Sequence, residues 1–326
     1  MKIPSRISRI LSHYESDNPG TKANLVRILM AGKLGGTGKM VILPVDQGFE
    51  HGPAVSFGPN PGAYDPHYHY KLAIEAGLNA YAAPFGMLAA GADTYAGSIP
   101  LILKANSSNA LLDKGLAPDQ AMTSTVEDAL HLGCSAIGFT IYPGSDNSLA
   151  MMEEVSEMAR RARSYGLAVV MWSYARGGII SKEGETALDI IAYAAHMAAL
   201  LGAHIIKVKL PSKHIELESS MKHYNSAAGR DTVDFDDMKD RVAHVMKASL
   251  DARRLVVFSG GAAKDNSDVY AEARAIAAGG GNGSIIGRNT FQRPREMALQ
   301  MLSDIIAIYK GVDSKSSAQA PLHHTQ

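Results

Sequence analysis

The chain has 326 residues, 46% hydrophobic and 20% charged, enough apolar material for one large α/β domain or two smaller ones. Lys and Arg together number 32, as do Asp and Glu, so the net charge is zero and no long-range field recruits nucleic acid or an anionic membrane. A single cysteine, Cys134, excludes an intramolecular disulfide and any paired-cysteine metal site.

Residues 1–38 precede the first strand signal and are expected to form one or two helices covering the bottom of the domain. The opening "MKIPSRISRILSHYESDNPG" lacks a sustained apolar run, and nothing resembles the roughly 20 apolar residues that span a bilayer, so a soluble, cytoplasmic protein without membrane partners is expected. Strand-like runs then follow at 40–46, 79–84, 100–106, 135–140, 168–174, 204–210, 255–261 and 283–289. Between them lie segments with apolar residues at helical spacing, such as "SLAMMEEVSEMARRARSYG" and "TALDIIAYAAHMAALLGA". Several end in glycine just before the next strand, as helix stops should: Gly77, Gly133, Gly166 and Gly202.

Eight βα units in about 270 residues match a (β/α)8 barrel, with an open doubly wound sheet as the competing reading. No GxGxxG turn follows the first strand, which favours the barrel. The expected organisation is a helical extension over 1–38, a catalytic barrel over 39–311 and a flexible tail over 312–326. The longest strand-to-helix connection, 211–230, suggests a lid or an interface loop.

In barrels of this kind the active site lies at the C-terminal ends of the strands. Polar clusters gather there: "VDQGFEHGP", "LKANSS", "WSYARGG", "KVK", "SGGA" and "GRN". Trp172 and Tyr174 share the inward face of the fifth strand, and a phenol there is a natural proton relay, its pKa expected to be lowered by nearby cations. Ser259, Gly260 and Gly261 leave backbone N–H groups free for an anion, and Gly287 with Arg288 adds a guanidinium on the adjacent strand, a common phosphate seat in barrels. "GKLGGTGKM" mimics a phosphate-binding loop but has Met40 where Ser or Thr should bind magnesium, and "HYHY" places its histidines at diverging helical positions. His51 is the only histidine near the expected mouth, and Cys134 reads as a buried, inert thiol.

The stretch "GAHIIKVKLP" puts two lysines, Lys207 and Lys209, on one face of an apolar strand. An ion pair with Asp46 or Glu50 would explain one of them structurally. Alternatively, a desolvated lysine beside another cation becomes a neutral amine that attacks a ketone. Lys207 lies deeper and is the expected nucleophile, with Lys209 as its electrostatic neighbour and Asp46 as a base.

Together "ILPVDQGFEHGP", "WSYARGG", "AHIIKVK", "SGGAA" and "IGRN" resemble the class I fructose-bisphosphate aldolases of the bacterial and archaeal type, in order and at one motif per strand. The resemblance implies a barrel, a Schiff-base lysine, no metal and no cofactor, and reversible cleavage of fructose 1,6-bisphosphate into two triose phosphates. It places the imine on Lys207, acid–base work on Tyr174 and Asp46, and a catalytic tryptophan at Trp172. Substrate and phosphate contacts fall on Gln47, His51, Arg176, Lys209, Ser259, Gly260, Gly261, Gly287 and Arg288, and a homo-oligomer is expected. Related Schiff-base barrels of transaldolase or thiolase type share the lysine and phosphate seat. A metal-dependent aldolase and a non-enzymatic sugar-phosphate binder are the readings from other classes.

Overall fold

The computed structural model describes residues 3–113, 115–226, 235–260 and 265–312. Eight parallel strands close into a barrel: β1 (Met40–Pro44), β2 (Ala80–Ala83), β3 (Leu101–Lys104), β4 (Ala136–Ile141), β5 (Ala168–Ser173), β6 (Ile205–Lys209), β7 (Leu255–Ser259) and β8 (Gly283–Ile285). Each strand pairs with its sequence neighbours, and Met40 beside Gly283 joins the first to the last. Successive residues alternate between two cores around the ring. Met40, Ile42, Ile102, Val170, Ile205 and Val257 face an inner core, whereas Val41, Leu43, Leu103, Val169, Ile206 and Val256 pack beneath the outer helices.

The outer helices carry the matching stripe: in Ser148–Ser164, the buried residues are Met151, Val155, Ala159 and Ala162. Cys134 is buried in that outer core, and burial pushes its thiol up to about 12, so it stays protonated.

Two helices precede β1: α1 (Ser5–Ser12) and α2 (Pro19–Met30). The second begins with Asn18 accepting from the Thr21 N–H at 2.8 Å and Pro19 in its first turn, a favourable helix start. Ile7, Leu25, Ile28 and Leu29 join the inner core from below, so these helices plug the barrel's bottom. The Tyr14 hydroxyl, between them, donates to the His204 carbonyl at 2.7 Å and accepts from the Leu255 N–H at 3.3 Å, gripping the starts of β6 and β7.

Several expected strands are too long at their C-terminal ends. The third stops at Lys104, because the Asn106 side chain replaces the ladder by accepting from the Thr140 N–H and donating to its carbonyl. Asn106–Ser107 instead pairs with Ala121–Met122 as a separate two-stranded patch. The eighth stops at Ile285, and Arg288 opens a short helix over Arg288–Phe291.

Of the 211–230 connection, the described part runs to residue 226 and carries a helix, Glu218–Asn225. It is anchored through Glu216, whose carboxylate accepts from the Ser181 N–H and hydroxyl, and through Asp189, which accepts from the Glu216 and Leu217 N–H groups. Among the described residues, none of this connection lines the catalytic cleft, and residues 227–230 lie outside the described residues.

Candidate active site

A cleft of about 530 Å³ opens where the strands end. At its base stands Lys207, 5% exposed, whose inward direction follows from strand alternation. Its neighbour in register on β5 is Trp172, and its ammonium lies 5.5 Å from the indole centroid and 5.4 Å from the Tyr174 ring. Trp172 itself is buried beneath the cleft rather than on its wall, fitting against Gly138 of β4. A Cβ at 138 would sit 2.2 Å from the indole, so only glycine leaves room for the ring.

Near the same indole is Lys104, at the end of β3, 1% exposed and 5.9 Å from the centroid. It donates to the carbonyl oxygen and to Oδ1 of Asn106. Burial lowers the proton affinity of both lysines. Asp46 and Glu50 oppose that effect at both, whereas Arg288 adds to it at Lys207 and Lys207 adds to it at Lys104. Glu50 shifts the other way. Burial and the charge of Asp46 raise its carboxyl above the usual range, against the pull of Lys104, Lys207 and Arg176.

The Tyr174 phenol is raised well above its ordinary value by burial and then by Asp46, partly offset by its hydrogen bond with Ser259. A nearby cation, Arg176, does lower it as expected, but burial and the carboxylates outweigh that pull. The phenol stays protonated at neutral pH and acts as a donor. Three buried polar atoms around the site have no protein hydrogen-bond partner among the described residues: Trp172 Nε1, Arg176 Nε and Gln47 Oε1. Buried polar groups are rarely left so, which marks this as a ligand-binding region.

Gly287 packs against β1: a Cβ there would lie 2.7 Å from both the Pro44 carbonyl and the Gln47 amide nitrogen. The glycine therefore lets Arg288 stand next to Ser259 and Gly260 on the cleft wall. His51, in the short helix α3 (Gln47–His51), is kept neutral by burial and by Arg288.

Lys209 lies beside Ser259 in register but pairs with Glu185 at 2.8 Å, which also holds Lys182 at 2.9 Å. These two lysines hold the Glu185 carboxyl below its usual range despite burial. The Lys209 charge is thus largely matched. The cation that lowers Lys207 is Arg288, and Lys207 in turn lowers Lys104, whereas the sequence suggested Lys209 as the neighbour.

The structure brings Asp46, Gln47, His51, Tyr174, Arg176, Lys207, Lys209, Ser259, Gly260, Gly287 and Arg288 around one cleft, with Trp172 below it. Gly261 lies outside the described residues. Sequence reasoning assigned no role to Lys104, Lys182 or Glu185, and considered Glu50 only as an ion-pair partner.

The family model for the DeoC/LacD family aldolases matches residues 40–293. A probable class 1 fructose-bisphosphate aldolase of Chlamydia trachomatis is 36% identical over 315 residues, covering 93% of this chain and 88% of the relative. A class 1 fructose-bisphosphate aldolase of Halobacterium salinarum is 34% identical over 262 residues, covering 80% and 87%. Among solved structures, an archaeal fructose-1,6-bisphosphate aldolase with its catalytic lysine bound to the carbinolamine intermediate superposes with a TM-score of 0.70 at 32% identity. That alignment covers 88% of this chain and 99% of the other. With a fold, a buried lysine pair and a cleft of this kind, the chain belongs to the DeoC/LacD family of aldolases.

Proposed function

We propose that this protein is a class I fructose-bisphosphate aldolase that cleaves fructose 1,6-bisphosphate reversibly into dihydroxyacetone phosphate and glyceraldehyde 3-phosphate. The observation that carries the reading is the Lys207 amine, desolvated against Trp172 and Tyr174 within reach of the Asp46, Glu50 and Arg288 charges. Neutral Lys207 attacks the C2 carbonyl carbon, and the resulting carbinolamine loses water to give an iminium. Asp46 takes the proton of the C4 hydroxyl, the C3–C4 bond breaks, and its electron pair moves into the iminium as an enamine. The aldehyde leaves, Tyr174 returns a proton to C3, and water releases the second product with the amine restored. Ser259, Gly260, Gly287 and Arg288 hold a substrate phosphate, with Gln47, His51, Arg176 and Lys209 along the sugar chain.

The route requires neither metal nor cofactor. A cytoplasmic homo-oligomer acting in sugar-phosphate breakdown or synthesis completes the reading. Among the described residues no helix is long and apolar enough to cross a membrane.

The test is coupled cleavage of fructose 1,6-bisphosphate with and without EDTA, together with borohydride reduction in dihydroxyacetone phosphate. Activity should survive EDTA, and one reduced triose should map to Lys207 and vanish in Lys207→Ala. Loss of activity in EDTA with no adduct would overturn the imine route, and an adduct on Lys104 or Lys209 would overturn the assignment of the nucleophile.

A further inference from the structure

At the opposite end of the barrel from the catalytic cleft is a second cleft, of about 320 Å³, beneath the starts of β5, β6 and β7. Arg163, Arg253 and Arg254 stand around it, with His13, Tyr14 and Ser16 contributed by the segment between α1 and α2. Its floor is an ordered polar chain. The Val169 N–H donates to His204 Nδ1 at 2.8 Å, so the His204 proton is on Nε2, which donates to Asp17 at 2.9 Å. Asp17 also accepts from Arg163 Nε at 2.9 Å.

The charges do not balance. The lining arginines Arg163, Arg253 and Arg254 outnumber Glu15 and Asp17 by one charge, and Arg9, close enough to act on His13, adds another. Arg163 is matched by Asp17, and Arg254 lies 5.0 Å from the Tyr14 ring and donates to the backbone carbonyl of Arg253. No ion pair is seen for Arg253 or Arg9 among the described residues. The surplus is felt locally: burial and then Arg253, Arg254 and Arg9 hold the His13 imidazole below its ordinary value.

A second, independent observation comes from the backbone. Leu250, Asp251 and Ala252, immediately before the two arginines, all have left-handed φ, of 57, 56 and 58°. Stopping a helix needs only one such residue, normally glycine. Three successive side-chain-bearing residues in that region are strained, and strain of this kind is retained where geometry serves a site. Here it immediately precedes Arg253 and Arg254, which line the cleft.

We propose that this cleft is a second anion site, for a small phosphate-bearing dianion, separate from the substrate phosphate seat. The surplus of about two charges suits a phosphate monoester better than a single carboxylate, and adjacent guanidinium forks match phosphate oxygens. The cleft is too small for a polymer to enter. Its floor residue His204 immediately precedes β6, which carries Lys207, and Val169 is the second residue of β5, which carries Trp172.

The test is calorimetric titration of inorganic pyrophosphate into full-length Arg288→Ala, which weakens the catalytic seat, and into the same chain also carrying Arg253→Ser. Arg253 is exposed, so its removal should not unfold the protein. Saturable binding is expected in Arg288→Ala, with Kd rising about 10-fold or more when Arg253 is also replaced. Arg253→Ser alone should leave the cleavage rate unchanged. Equal affinity with and without Arg253, or no saturable binding at millimolar pyrophosphate, would overturn the site. Citrate binding as tightly as pyrophosphate would overturn the assignment to phosphate.

Discussion

Replacing Lys104 by Met tests whether a second buried ammonium sets the proton affinity of the nucleophile. The two Nζ atoms lie 5.9 and 5.5 Å from one indole centroid, so they are no more than about 11 Å apart. At an effective dielectric near 20, two unit charges at that separation repel by about 1.5 kcal/mol, a little over one pK unit. Because the separation is an upper bound, the shift is a minimum. Removing the Lys104 charge favours the protonated form of Lys207, so its pKa rises and less neutral amine is present at a given pH. The rising limb of imine formation should move up by about one unit, roughly a 10-fold loss below the midpoint that is recovered at high pH. The assay is borohydride trapping of dihydroxyacetone phosphate across pH, read by intact mass. Damage to packing alone would lower labelling at every pH. A midpoint that stays in place or moves down would refute the coupling. Lys209→Ala is the comparison, and its upward shift should be smaller because Glu185 matches that charge.

Tyr174→Phe should form the substrate imine but turn over about 10² to 10⁴ times more slowly, with a covalent intermediate accumulating in quenched-flow mass spectra. Wild-type turnover would return Tyr174 to a packing role. Arg288→Ala should raise KM for phosphorylated substrates by about 10-fold or more with kcat less affected, the loss of a charge-assisted phosphate contact. An unchanged KM in steady-state assays would remove Arg288 from the seat. Gly138→Ala should cost about 1 to 3 kcal/mol by overpacking the indole. Since Trp172 is the only tryptophan, its emission should change along with the melting temperature, and an unchanged spectrum would contradict the tight fit.

The barrel was legible because eight short apolar runs recur with segments of helical spacing between them, several closed by a glycine such as Gly77 or Gly202. Strand ends were less legible. The ladder of β3 yields to the side chain of Asn106, and propensity carries no trace of that exchange. Lys207 stood out as a charge in an apolar strand. Lys104 in "LILKAN" carries the same signal and would have been found by the same question. Glu185 could not be found that way, since it lies in a polar loop and meets Lys209 only once the chain is folded. The Tyr174 phenol was expected to be lowered by nearby cations, and Arg176 does pull it down. Its burial and the charge of Asp46 dominate instead.

The plug beneath the barrel has a consequence for the order of events during synthesis. Tyr14 is joined to partners 190 and 241 positions further along, and β1 completes its pairing only with β8. At about 5 to 20 residues per second, the first helices wait on the order of 10 to 50 s before the strand starts they grip have been made. During that interval the apolar sides of α1 and α2, with Ile7, Leu25, Ile28 and Leu29, have no native surface to cover. Helices made well before the strands they grip are thus among the last pieces to be seated, and their apolar faces are exposed for as long as the ring stays open.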